Sequence, residues 1–110
     1  MDSTIKVQIG DKDVGFKFTM KTFELFSEVS GVEFGDMISH FSKKPYGSFV
    51  KLFWAAHSCY HKGEISVTEY DVDDWIDSME QKAFQSIWDT YTASLQSVVE
   101  KISKEDKKKQ

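Results

Sequence analysis

Two histidines flank a cysteine in His57-x-Cys59-x-His61, the sharpest metal-like cluster in the chain. Positions four apart share one face of a helix, so the two imidazoles could hold one ion. Cys59 lies two residues from each and turns roughly 200° away. Two converging ligands fall short of the three or four protein ligands of a zinc site. The pattern therefore reads as packing of a buried helix, and neither a metal nor another cofactor is expected. The acidic run Glu69, Asp71, Asp73, Asp74 and Asp77 is the second candidate. It lacks the glycine at loop position six and the glutamate at position twelve that a calcium loop requires for its turn and its bidentate ligand. Carboxylates also suit a helix N-terminus, where they face the positive end of the dipole. The run is a solvated helix start or, through Asp71, Asp73, Asp74 and Asp77, a docking face for a basic partner. Nucleophilic chemistry has less support: there is no Gly-x-Ser-x-Gly elbow, no Gly-rich phosphate loop and no Cys-x-x-Cys pair. The sequence reads as that of a protein that is not an enzyme.

The elements that must position these residues follow from hydrophobic periodicity. Ile5, Val7 and Ile9, then Val14, Phe16 and Phe18, alternate with mostly polar residues, and Gly10 to Asp13 supply turn chemistry between them. This predicts a β-hairpin over 4–18 with one apolar face, which must lie on something else to be stable. From Met20 the period becomes helical: Met20, Phe23, Phe26 and Val29 share a face, Thr19 can cap the start and Gly31 the end. A short helix with Met37, Ile38 and Phe41 inward should stop before Pro45. Ser48 can cap a helix over 49–61 that is apolar nearly all round, hence buried and central. Thr68 and Asp71 resemble a capping box, opening a helix that buries Val72, Trp75, Ile76 and Met79. In the last helix, about 80–103, Phe84, Trp88, Tyr91, Leu95, Val98 and Ile102 hold a heptad seam. That seam is either core packing or, in its distal half (Leu95, Val98, Val99 and Ile102), a surface for self-association or a partner helix. The expected fold is mainly α with an N-terminal β-hairpin, about five helices packed round a buried central one. Residues 1–103 form a single domain and 104–110 a disordered Lys-rich tail.

Composition narrows the class. The chain of 110 residues has 16 aromatics among its 40% hydrophobic residues, enough for a dense core, and one cysteine, which cannot make an internal bridge. Residues 64–80 hold seven acids and no base, within a net charge of −4. All 14 basic residues are lysine. Arginine supplies the bidentate forks that grip phosphates and base edges, so nucleic-acid binding is not expected. The apolar run 49–60 is broken by Lys51 and too short to span a bilayer. Met1-Asp2-Ser3-Thr4 opens no signal peptide, so a cytoplasmic protein is expected.

The order of elements, with certain motifs, resembles a known family. Phe18-x-Met20 leads into a helix ending Phe26-Ser27-Glu28-Val29-Ser30-Gly31. Leu52-Phe53-Trp54-Ala55-Ala56-His57 marks the buried helix. Ile65-Ser66-Val67-Thr68-Glu69-Tyr70-Asp71-Val72 opens the acidic helix, which continues into Trp75-Ile76-Asp77. Over roughly residues 5–79 the chain is similar to the tail assembly chaperones of long-tailed bacteriophages and related prophages. It departs from them in a helix end one residue tighter than Glu-x-x-x-Gly, and in Tyr70 where a second acid is common. The resemblance implies a non-enzymatic protein of the bacterial host cytoplasm, absent from the mature virion. It would bind the tape measure protein, keep it soluble and recruit tail tube protein, with a possible homo-oligomer. It also implies a longer frameshifted form, for which the adenine-rich codons of Lys107-Lys108-Lys109 are the expected slippage site. The alternative is a small helical adaptor or dimerisation module unrelated to phage.

Overall fold

A computed structural model describes residues 3–33, 36, 39, 41, 43 and 45–108. Strands β1 (Thr4–Ile9) and β2 (Lys12–Lys17) form a two-stranded antiparallel sheet. Ile5 pairs with Phe16 and Val7 with Val14, which places the expected apolar set on one face. The connection is shorter than expected, only Gly10 and Asp11, because Lys12 and Asp13 pair with Ile9 and Gln8. Gly10 has φ 65° and Asp11 does not have positive φ, the glycine-first pattern of a type II′ hairpin turn.

Helix α1 (Met20–Ser30) starts at Thr19, whose amide donates to Thr22 Oγ1 at 3.1 Å. It ends at Gly31, in the left-handed conformation with φ 73°, whose amide donates to Ser27 O. Helix α2 (Pro45–Tyr60) is the central element. Leu52, Phe53, Ala55 and Ala56 are fully buried, and the helix packs against β2, α1 and the acidic helix α3 (Glu69–Ser78). The long helix α4 (Gln81–Lys108) touches β1 and completes the core.

Three expectations are corrected. Helix α2 is described from Pro45, with the buried Ser48 inside it and not capping it. Phe41 and Lys43 before it and Tyr46 after it are helical as well, so Pro45 is not the stop it was read as. The described residues hold four helices in place of about five. The short helix placed around Met37, Ile38 and Phe41 falls largely outside them: residues 37 and 38 are not described, while Phe41 is helical and buried. Finally, α4 runs on to Lys108, through most of the segment expected to be a loose tail. No glycine or proline interrupts 81–108, so nothing in the backbone stops the helix where its apolar residues end. Residues 109 and 110 lie outside the described residues.

Aromatic rings carry the core from end to end. Phe16 packs on Phe53 at 5.6 Å between centroids, Phe53 on Phe49 at 6.2 Å, and Phe49 on Phe41 at 5.2 Å. Tyr91 joins Phe18, Phe23 and Phe41 at 5.9, 5.9 and 5.6 Å. These tilted and edge-on pairs each add about 0.5–1.5 kcal/mol beyond the area they bury.

Candidate functional site

Two contacts at Gly15 help to join the hairpin to α2. His57 is buried, and its Nδ1 donates to the Gly15 carbonyl at 2.8 Å, which leaves Nε2 without the ring proton. Burial pushes the His57 imidazole below its ordinary value; the Gly15 bond opposes that shift and His61 adds to it. One turn on, the Tyr60 ring fills the space a Cβ at Gly15 would need. Lys6, the cross-strand partner of Gly15, has its Nζ 6.0 Å from that ring. Cys59 instead borders a depression with Lys17, Leu25 and Lys62, away from the two histidines. The histidine pair is thus part of the hairpin–helix junction. Among the described residues no three His, Cys, Asp or Glu side chains are grouped to hold a metal ion.

On α3 the expected capping box is present. Thr68 Oγ1 accepts from the Asp71 amide at 3.3 Å, and the Thr68 amide donates to Asp71 Oδ2 at 2.9 Å. Asp71 is engaged in the cap, while Asp73, Asp74 and Asp77 are exposed. Lys51 of α2 pairs with Glu69 at 2.8 Å, and Trp54 Nε1 donates to Val67 O at 2.9 Å, which hold the start of α3 on the central helix. Asp73 borders a shallow depression with Gly47, Val50 and Tyr70. None of these acids lines the depressions that involve α4.

An open concavity among the described residues runs along α4. Its volume is about 780 Å³, within the range of ligand clefts and open at the surface. Phe41, Phe49, Trp88 and Tyr91 belong to one ring cluster on its wall, with Phe41–Trp88 at 5.6 Å and Trp88–Tyr91 at 5.0 Å. Leu95 and Val99 extend the apolar lining, and Thr92, Gln96 and Glu100, spaced by four, form a polar row on the same helix. From Trp88 to Glu100 the groove follows α4 for about 18 Å, three turns of an α-helix. The Tyr91 hydroxyl is buried, has no hydrogen-bond partner among the described residues, and burial pushes its pKa up to about 12.

The four seam residues expected to bind a partner are divided between two sides of α4. Leu95 is 9% exposed at the groove wall, and Val99 is 43% exposed at its edge. Val98 is 7% exposed and turned to the other side, where it lines a second depression with Phe18, Thr19 and Met20. One residue is 100° of rotation, which takes Val98 into the core and leaves Val99 out. Ile102 lies on the backbone of α4, but its side chain is outside the described residues. No family model, curated protein or solved structure matches the chain. The groove therefore has to be interpreted from its own chemistry. Sequence reasoning found its α4 wall, since 88, 91 and 95 belong to the seam. It missed Phe41 and Phe49, which reach the groove from a distant segment, and the row at 92, 96 and 100, whose signal was a polar period of four beside the seam.

Proposed function

We propose that this chain is a non-catalytic phage tail assembly chaperone that binds helical segments of the tape measure protein, keeps them soluble and helps recruit tail tube protein. The observation that carries the reading is the apolar groove beside α4. A three-turn apolar trough with one polar edge suits the apolar face of an amphipathic helix, which anchors at every third or fourth residue. Trp88, Tyr91, Phe41 and Phe49 supply the aromatic lining on which such anchors bind most strongly. A chaperone that only shields a helix needs no nucleophile and no general base, and the groove lining includes one ionisable carboxylate, Glu100. The exposed Asp73, Asp74 and Asp77 on α3 offer a separate acidic face for a basic tube subunit. The setting of this activity is the host cytoplasm during assembly. No helix among the described residues is long and apolar enough to cross a membrane.

Co-expression with the tape measure protein of the same genome tests the reading. The chain should move that protein into the soluble fraction and co-purify with it. A Val99→Asp substitution, on an exposed edge that the fold does not need, should abolish the effect. Equal solubility with and without the chain overturns the proposal.

A further inference from the structure

We infer that the depression bordered by Cys59 binds the phosphate of a small organic phosphate monoester. Its volume is about 450 Å³, within the range of ligand sites, and it shares no lining residue with the groove along α4. Lys17 reaches it from the end of β2, Lys21 from the first turn of α1 and Lys62 from the turn after α2. No acid lines it. Among the described residues Lys17 and Lys62 have no ion-pair partner, and Lys21 has an exposed contact with Glu24 at 3.4 Å. Three ammonium groups round one opening make a local positive field, opposite in sign to the net charge of −4. Thr19 and Lys21 bring the start of α1, the positive end of its dipole, to the same opening.

Two further observations point to a ligand. Ser30, Ser86 and Thr90 each donate a hydroxyl to the carbonyl four residues back in their helices. Ser58 lines the depression and is only 6% exposed, yet among the described residues its hydroxyl has no partner. A buried hydroxyl without a bond is costly, and a phosphate oxygen would accept from it. The second observation is Lys62 itself. The Gly63 amide donates to Ser58 O at 2.7 Å and the Lys62 amide to Cys59 O at 3.2 Å, the paired bonds of a Schellman end. The left-handed position of that motif usually holds glycine; here Lys62 occupies it with φ 57°. The ammonium at the rim thus comes with a strained backbone that glycine would relax. A phosphate monoester carries a charge of roughly −1.5 to −2 and accepts from lysine as a point charge. Leu25 and Cys59 give the lining an apolar part on which the organic group of the ester rests.

Phenyl phosphate, titrated into the full chain at low salt, is the probe. It should shift the amides of Lys17, Lys21 and residues 58–63 saturably in NMR spectra, and slow the alkylation of Cys59, the single thiol, by iodoacetamide. Inorganic phosphate should bind several-fold more weakly, and phenol should not bind. Lys62→Gly removes the ammonium and relaxes the backbone, so it should weaken phenyl phosphate at least about tenfold while melting at the same temperature or higher. Lys17→Gln should lose affinity without touching that turn, and Ser58→Ala should lose affinity with the fold intact. Lys12→Gln, at the other end of β2, should change nothing. The inference is overturned by the absence of a saturable shift, by affinity that survives both Lys62→Gly and Lys17→Gln, or by an equal loss in Lys12→Gln. Inorganic phosphate binding as tightly as the ester would overturn it as well. The site is independent of the groove, so each of these outcomes leaves the proposed function standing.

Discussion

Tyr91→Phe should stabilise the protein, and the gain should grow in alkali. Tyr91 is 2% exposed, and its ring packs against Phe18, Phe23, Phe41 and Trp88, contacts that phenylalanine keeps. Among the described residues the hydroxyl has no partner. A hydroxyl taken out of water without a hydrogen bond costs about 1–3 kcal/mol. Removing it should raise stability at neutral pH by about 1 kcal/mol or more, which for a domain this size moves the melting temperature by about 4 °C per kcal/mol. The alkaline part follows from linkage. In the folded chain the phenol titrates at about 12, and in the unfolded chain near its ordinary 10. Between those values the unfolded state has released the proton while the folded state keeps it. The unfolded state therefore binds fewer protons, and stability falls as pH rises, by about 2–3 kcal/mol across the window. Phenylalanine does not titrate, so the difference between variant and parent should widen by that amount from pH 10 to 12. The other tyrosines and the lysines titrate in both proteins and cancel. Urea unfolding followed by tryptophan fluorescence at pH 7, 10 and 12 measures it. A less stable variant at pH 7, or a difference that stays constant up to pH 12, would show that the hydroxyl has a partner and refute the reasoning.

Gly15→Ala should cost about 1–3 kcal/mol through overlap of the new Cβ with the Tyr60 ring. In a Tyr60→Ala background the cost should shrink, and additive costs in that double-mutant cycle would exclude the clash. Thr68→Ala removes the acceptor for the Asp71 amide and should lose about 1 kcal/mol, read by thermal melting; no change would mean that the cap adds nothing to the fold. His57 should titrate below 6.5 by NMR, because burial outweighs its bond to Gly15. A base whose folded value is depressed leaves the unfolded state binding more protons, so stability should fall as pH drops through about 6.5. Replacing it in His57→Gln should flatten that fall, and a midpoint at or above 6.5 would contradict the burial argument.

The same residues show how far a sequence carries such a reading. Period two at 5, 7, 9 and 14, 16, 18 was enough to place the hairpin and its inward face, because alternation is a local property. The need for glycine at position 15 was not legible, since it arises from Tyr60, 45 positions later, and Gly15 does not have positive φ. Boundaries failed where one residue type has two uses. Proline disfavours a helix in the residue before it yet is helical at position 45, and a lysine-rich segment without apolar residues can be a tail or, as at 104–108, a continued helix. The groove makes the same point for function. A strict heptad selects Leu95, Val98 and Ile102 as one stripe, whereas the groove follows a spacing of four through Leu95 and Val99. The two rules agree for a turn and then diverge by one residue, and that residue decides whether a valine is buried or exposed. Only the position of α1 and the hairpin, which cover Val98 and leave Val99 open, settles the choice. The wall formed by Phe41 and Phe49 depends on tertiary packing in the same way. An apolar groove along a helix is thus legible in sequence as a stripe, but its width and its edge are set by what packs on either side.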